Sequence, residues 1–501
     1  MKFSKYVMLA GLAGMLGACA SDAPDAPNTT TPEGEVGYIR IAFEGLREST
    51  RAVGDENDNI SSADFLFFTE GTDGNDGAYL GHVVVNSGDN TDSQKWLKDH
   101  STTNDLCAVV KVPYANATRV TVILNKTNST NGITGNQIAT LALKDDDYKN
   151  ASGSFVMSNA VTYDEHNEAT WRVALDKTHF YATMNEAIAA DATPTAKINV
   201  ERTVAKVTVE EGKVDDTKLL SADGNVSLGT DLFDVAGDDK YELVFEPTNI
   251  YVTNFRDQGA LIKQLPTYPT GMSAANIQDG NRSFIAAHLA GSTLTNYTYP
   301  QLSTVGTSLF TDNVSYVYDN AGSNGGTTRT ATALAVVGDY TVKKGGVTVN
   351  TDADGNLTTF YLVGITNKWK VCLTPAEVLE AMGATSSTKL KKQMQKVGEN
   401  EVWTGYMVLE NEETPIVCLK YENAHGYYTK TIERYANTAY ITRNHHYKLS
   451  VNQITGVGIG IPDGNTPIEP INPPTPDDKN FYLHLSVKVL DWNEVNQNVA
   501  W

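Results

Sequence analysis

Apolar and polar residues alternate with a period of two along much of this chain. Ile39, Ile41 and Phe43 fall on one face of a short segment and Tyr38 and Arg40 on the other, the pattern of a half-buried β-strand. Similar segments, rich in β-branched and aromatic residues, recur at 64–68, 79–85, 106–112, 119–124, 171–175, 197–210 and 241–252. They continue at 333–342, 360–365, 406–409, 415–421, 428–434 and 445–454, separated by clusters of Gly, Asn and Asp. Strands at this spacing, without helices between them, predict an all-β protein of β-sandwiches and not a parallel α/β sheet. One helix is legible as an insertion. Thr374-Pro375-Ala376-Glu377 reads as a capping box with proline at the first helical position, and Gly383 stops the helix after Met382. A second, basic helix is expected over about 387–397, with Lys389, Lys391, Lys392 and Lys396 on a solvated face.

The 197–210 segment reads as the closing strand of a first unit, and 211–239 is turn-rich and acidic, so the junction is expected near residue 215. This gives a first sandwich at 52–215 and a second, carrying the helical insertion, at 216–461. Between 462 and 476 lie six of the 17 prolines, a density that removes amide donors and forbids helix and central strand. Residues 462–480 are expected to form an extended arm, whose proline-bearing part spans roughly 45 Å in a polyproline II conformation. Strand patterning then returns over 481–501. Phe481, Leu483, Leu485, Val487 and Val489 are apolar at odd positions; Asp491-Trp492-Asn493 interrupts; Val495, Val499 and Trp501 resume. Chain ends are usually polar and frayed. A terminal strand ending in Trp501 needs an apolar slot.

At the other end, Lys2 and Lys5 precede an apolar stretch at 6–16, a signal-peptide pattern shorter than the ~20 residues of a spanning helix. It ends in Leu16-Gly17-Ala18-Cys19, which resembles the lipobox of bacterial lipoproteins, so residues 1–18 read as a signal peptide removed before an acylated Cys19. Each buried CH₂ of such a lipid contributes ~0.8 kcal/mol to membrane anchoring. The acidic stretch that follows, Ala20-Ser21-Asp22-Ala23-Pro24-Asp25, resembles signals that send lipoproteins to the outer face in Bacteroidales, and 22–35 reads as a tether.

Composition narrows the function. With 39 basic and 60 acidic residues the net charge is −21, a surface that repels phosphate, so no nucleic-acid partner is expected. Besides Cys19 there are Cys107, Cys372 and Cys418, for which buried unpaired thiols are favoured over a Cys372–Cys418 bridge. The nine histidines include no His-Glu-x-x-His, and His445 and His446, being adjacent, point to opposite faces of a strand. Gly456-Val457-Gly458-Ile459-Gly460 runs into Pro462 and not into a helix, so it reads as a strand end and not a dinucleotide loop. Asp352-Ala353-Asp354-Gly355-Asn356 has Leu357 and Val363 where a calcium loop needs glycine and glutamate, which leaves a hairpin turn. No nucleophile elbow or phosphate loop is present. No enzyme activity, metal or cofactor is expected.

Several segments together resemble the fimbrillin family, the subunits of type V pili in Bacteroidales, and most of all its minor-fimbrillin branch. They are the lipobox at Cys19, Ser49-Thr50-Arg51-Ala52, Phe155-Val156-Met157-Ser158-Asn159, Val200-Glu201-Arg202-Thr203-Val204-Ala205-Lys206-Val207, Thr442-Arg443-Asn444-His445-His446-Tyr447 and Val489-x-x-Trp492. The resemblance implies two tandem β-sandwich domains of transthyretin-like, Greek-key type, exported as a lipidated precursor on the outer membrane. It also implies an arginine-specific protease that cuts between Arg51 and Ala52 and removes residues 19–51. The first strand, with Ile39, Ile41 and Phe43, would leave with them, and the freed groove would take a strand from a neighbouring copy. Donor candidates are Val495, Val499 and Trp501, or Phe481, Leu483, Leu485, Val487 and Val489. The expected product is a shaft subunit of a cell-surface fimbrium, with tip and anchor subunits as further partners, serving adhesion and biofilm formation. The alternative is a non-polymerising surface lipoprotein that binds carbohydrate or a host protein.

Overall fold

The computed structural model describes residues 37–44, 59–70, 77–97, 106–127, 141–144, 146–160, 162–163, 169–211, 226–227, 241–263, 278–279, 282–283, 290–295, 297–298, 314–322, 330–365, 368–385, 387–397, 400–410, 416–432, 440–464, 466–468 and 481–491. Within them the protein is all-β, with short α-helices at Met184–Ala187 and Pro375–Ala381. No helix among the described residues is long and apolar enough to cross a membrane.

The first sheet is built from β1 (Tyr38–Glu44), β2 (Ser62–Phe68), β3 (Tyr79–Asn86), β4 (Gln94–Leu97), β5 (Leu106–Lys111), β6 (Arg119–Leu124), β7 (Met157–Asn159) and β8 (Ala196–Arg202). Their order is β3-β2-β6-β7-β8-β1-β5-β4. Neighbours run antiparallel except β1 and β8, which are parallel. One core, including Ile39, Ile41, Phe43, Phe65, Val122 and Ile198, lies under this sheet. A parallel neighbour needs a long return. Here almost the whole first unit lies between β1 and β8, including the helix α1 (Met184–Ala187), started by a Thr183–Glu186 capping box.

After β8, Thr203 and Val204 turn the chain and β9 (Ala205–Glu211) enters a different sheet. The following strands are β10 (Tyr241–Thr253), β11 (Val314–Val317), β12 (Ala333–Lys344), β13 (Phe360–Ile365) and β14 (Lys368–Cys372), then helix α2 (Pro375–Ala381). After it come β15 (Leu390–Val397), β16 (Asn400–Leu409), β17 (Cys418–Tyr421), β18 (His425–Thr431), β19 (His445–Gly456) and β20 (Phe481–Asp491). They form a sheet β11-β9-β19-β20, a sheet centred on β10-β12-β18, and a sheet β14-β13-β17-β16-β15. Alternation along β13 links two cores: Phe360 and Leu362 join the large core shared with the other two sheets, while Tyr361 and Val363 face a smaller one closed by Val378 of α2. The free thiols Cys372 and Cys418 are buried in that smaller core, and Cys107 is buried and free as well.

Several expectations are corrected. β1 is buried on both faces, not half-buried: Arg40 is 2% exposed and Ala42 1%. The single strand expected at 197–210 is two strands in two sheets. The junction expected near 215 falls at 212–225, outside the described residues, and the change of sheet comes at Thr203 and Val204. The segment expected as a strand at 171–175 pairs over Val173–Ala174 alone. The expected basic helix at 387–397 is the strand β15. Lysine's helix propensity yields there to pairing with β16; among the described residues its other edge is open, and exposed Lys389, Lys391 and Lys396 suit such an edge because charge discourages pairing with another chain. Lys392 instead lies over the Trp403 ring and pairs with Asp463 at 3.1 Å. The proline-rich arm begins docked: Pro467–Ile468 pairs with Tyr297–Thr298, and Ile468 is fully buried. Residues 469–480 lie outside the described residues.

Candidate functional site

β1 is an interior strand whose partners come from distant parts of the sequence. On one side Tyr38 to Phe43 pair with Lys111 to Leu106 of β5; on the other Ile41 to Glu44 pair with Ala196 to Asn199 of β8. Where β8 has not yet begun, Tyr38 exchanges two main-chain hydrogen bonds with Tyr181 (2.8 and 2.9 Å), and Thr195 N donates to Arg40 O (2.7 Å). Taken out, the strand would leave two facing edges of unpaired backbone groups above an apolar floor.

The two faces of that slot differ chemically. Ile39, Ile41 and Phe43 are at most 1% exposed and enter the core, with Phe43 set between Phe65 and Trp96, ring centroids 6.0 Å away in each case. On the other face the Arg40 guanidinium donates from Nη1 to Ala189 O (2.8 Å) and Ala187 O (3.4 Å), at and just beyond the end of α1. Burial pushes the Tyr181 phenol up, and the Arg40 charge works against that shift.

Arg51 and Ala52 fall in 45–58, between β1 and the rest of the first sheet, and Cys19 in 1–36; both lie outside the described residues, as do Val495, Val499 and Trp501. The stretch with Phe481, Leu483, Leu485, Val487 and Val489 is β20. It pairs antiparallel with β19 from His445↔Asp491 to Gly456↔Phe481 and forms the edge of its sheet. That stretch is seated in its own chain.

The structure also gathers side chains whose role the sequence did not reveal. Arg443, fully buried, donates from Nε to Asp319 Oδ2 (2.5 Å), from its main-chain N to Oδ1 (2.8 Å) and from Nη2 to Ala260 O (2.6 Å). Next along the chain, Ala260's neighbour Leu261 packs in the first unit's core and accepts from Ser158 Oγ (2.7 Å). Asn444, at φ 59°, accepts from Arg202 Nη1 (3.2 Å), and its N donates to Val204 O (2.8 Å). Gly259 completes the contact, since a Cβ there would stand 2.1 Å from the Tyr318 ring. The segments 155–159, 200–207 and 442–447 thus meet at the passage between the two sets of sheets. Their recurrence as short polar motifs in otherwise apolar strands was the available signal.

The adjacent His445 and His446 are bonded to different partners: His445 Nδ1 lies 2.7 Å from Arg443 O, and His446 Nε2 lies 2.8 Å from Thr208 Oγ1. The described residues contain no cluster of three or more His, Cys, Asp or Glu able to hold a metal ion. Residues 352–356 form a hairpin turn closed by the Thr351↔Leu357 bridge. An open cleft of about 630 Å³ lies beside it, lined by Asp339, Asp352, Asn356, Thr359 and His425 among others. It has no aromatic wall, which small-molecule sites commonly use.

Residues 419–498 match the family model described as major fimbrial subunit protein type IV, fimbrillin, C-terminal. This match supports the fimbrillin family. The fimbrillin segment starts in β17, contains β18, β19 with Arg443 and Asn444 just before it, and β20, and runs into the tail beyond Asp491. The description that the model carries is that of a fimbrial subunit, which suggests a pilus subunit. Comparison with curated proteins gave no match.

Proposed function

We propose that this chain is a shaft subunit of a cell-surface pilus, made as a lipoprotein precursor, cut after Arg51 and joined head-to-tail by β-strand exchange. The supporting observation is the place of β1: a central strand, buried on both faces, connected onward only through the segment that holds Arg51. In this reading the arriving precursor is held on the outer membrane by acylated Cys19 and is monomeric because its own β1 fills the slot. An arginine-specific protease frees residues 19–51, two tandem sandwiches remain, and the tail of the next copy enters between β5 and β8.

The donor is then 495–501, as long as the seven-residue β1, with β20 kept at home on β19 as its anchor. Three apolar side chains at ~1.5–3 kcal/mol each, plus main-chain bonds at a net ~1 kcal/mol, make such a joint durable before ordering costs are subtracted. The joint is heterologous, so it propagates as a filament and not a ring. A direct route links slot and donor within one subunit: β8 borders the slot, continues through two residues into β9, β9 pairs with β19, and β19 pairs with β20. Tension along the pilus would pass through backbone and sheet hydrogen bonds. Tip and anchor subunits would occupy the two ends, and attachment and biofilm formation are the service performed.

The test is to treat purified precursor with trypsin, sequence the new N-terminus, and image the product beside a form lacking 495–501. Filaments from the intact chain cut at Ala52, and none from the truncated one, are expected. A chain cut at Ala52 that stays monomeric at high concentration overturns the reading.

A further inference from the structure

The strand order β3-β2-β6-β7-β8-β1-β5-β4 places β1 at a seam. Five strands of that order lie on one side of it, and on the other stands only the antiparallel pair of β4 and β5. Among the described residues the main-chain hydrogen bonds of this pair run between its own strands, to the turn at 89–93, and to β1. Trp96 N donates to Asp89 O (3.0 Å) and Lys111 N to Ser93 O (2.8 Å). The flanking bonds belong to the removable segment as well: Val112 N donates to Gly37 O (3.0 Å), and Tyr38 Oη donates to Asp92 O (2.7 Å).

With β1 gone, no ladder among the described residues ties β4 and β5 to the rest of the sheet. They remain joined by the packing of Trp96, Ala108 and Val110 in the core, and by the chain at each end: a turn in which Gly88 takes φ 104°, and residues 112–118. That packing is itself reduced. Trp96 loses the Phe43 ring, while Ala108 and Val110 lose their cross-strand neighbours Ile41 and Ile39.

Because β1 is antiparallel to β5 and parallel to β8, β5 is antiparallel to β8 and can pair with it directly. The register permits this. Ile41 stands between Ala108 and Ala196, and Phe43 between Leu106 and Ile198, so closing the gap brings Ala108 to Ala196 and Leu106 to Ile198, all on the face of the same core. On the other face Cys107 comes to Lys197, with Ala42 gone from between them. Closure pairs the two rows of backbone groups that an empty slot leaves open.

We propose that β4 and β5 form a hinged wall that closes on β8 when β1 leaves, so that a cut subunit without a donor seals its own slot. This rests on the strand-exchange reading and adds regulation to it. The tail then replaces β1 stepwise, each bond to β5 and β8 forming as one of β1 breaks, and does not enter an empty slot. Where tails are abundant, exchange outruns closure; a cut subunit alone seals and is lost to assembly until it reopens.

The experiment uses the full precursor with a site-specific protease sequence in place of 47–51 and the substitution Lys197→Cys, at an exposed position opposite the native Cys107 across β1. Before nicking, β1 holds the two thiols two strand spacings apart, roughly 9.5 Å, beyond the ~7 Å between Cα atoms that a disulfide spans. Closure makes them direct neighbours at ~4.5–5.5 Å. The chain is nicked at a dilution where copies rarely meet, loss of the β1 piece is followed by mass spectrometry, and oxidised glutathione takes up the two electrons and two protons released as the S–S bond forms. Uncut Ala42→Cys, with its thiol one strand from Cys107, gives the yield for direct neighbours. Nicked Lys197→Cys chain should form about tenfold or more bridged product than uncut chain, and a peptide of residues 493–501 present during nicking should suppress the bridge. Chain without the cysteine substitution, aged after nicking, should take up that peptide more slowly than fresh chain. Loss of β1 without a bridge, in chain that takes up the peptide at an undiminished rate after ageing, overturns closure and leaves strand exchange standing. A β1 piece that does not leave even with the peptide in excess overturns the exchange itself.

Discussion

Replacing Phe43 by alanine separates the role of β1 in folding from its proposed role as a removable part. The ring is 1% exposed and packs on Phe65 and Trp96 at 6.0 Å, so its loss removes a full aromatic burial and leaves a cavity that two rigid rings cannot collapse. Buried Phe→Ala changes cost about 3–5 kcal/mol. In the uncut precursor that loss appears as reduced stability of the first unit, read by urea denaturation with Trp96 among the fluorescent reporters. In a precursor nicked after Arg51 the strand is held by non-covalent contacts alone, and the same loss appears as weaker retention, by a factor between roughly 10² and 10⁴. Size-exclusion chromatography should show residues 19–51 leaving far sooner, and polymerisation should start earlier because the incoming tail still meets an intact Phe65–Trp96 niche. A first unit weakened by less than about 1 kcal/mol, or unchanged strand retention after nicking, would refute the reasoning that places this ring at the centre of the joint.

Arg443→Met should cost about 3–5 kcal/mol by stranding the buried Asp319, and adding Asp319→Leu should recover part of that loss, as a double-mutant denaturation cycle would show. Burial pushes the Cys372 thiol up to about 11 and the Cys418 thiol up to about 12, and burial likewise raises the phenols of Tyr340, Tyr421 and Tyr428. The native state thus holds protons that the unfolded chain gives up from about pH 9 for the thiols and 10 for the phenols. Stability conferred by these neutral groups should be whole below pH 9 and fall as the pH rises toward 12, and native protein should resist thiol reagents at pH 8 until unfolded. Changing Lys389, Lys391 and Lys396 together to threonine should alter unfolding free energy by less than about 0.5 kcal/mol per site yet promote aggregation, seen as light scattering, by stripping the charge from the open edge of β15.

Strand existence was legible because alternation over five or more residues has one physical cause, a sheet with unlike faces. It failed in degree for β1, since an arginine on the second face reads as solvent exposure, and no local pattern announces carbonyls 147 and 149 residues away that will hold it. It failed in kind for β15. Four lysines among Leu390, Gln393, Met394 and Gln395 are good helix formers, and the pairing with β16 that overrides them lies in a register that local propensity does not encode. Helix α2 was legible to within a residue because capping is local: Thr374 Oγ1 accepts from Glu377 N, and Gly383 takes the φ of 71° that ends the turn, but the helix stops at Ala381 and Glu377 Oε2 accepts from Leu373 N in place of the Thr374 N that a capping box uses.

The junction shows why a motif can be visible while its purpose is not. Arg202, Ser158, Arg443 and Asn444 each read as polar residues beside apolar strands; Ser158 and Arg443 make sense when Leu261, following β10, is found inside the first unit's core with its carbonyl accepting from both, and Arg202 and Asn444 when they are found bonded to each other. That insertion ties the two sets of sheets together with apolar packing as well as hydrogen bonds. A subunit under tension needs such a tie more than a free monomer does: the proposed route from slot to tail changes sheets at Thr203 and Val204, where no β ladder is present, and the bonds from Asn444 to Val204 and Arg202 brace the chain at that gap. Losing them should weaken the filament along its length before it weakens the folding of either unit.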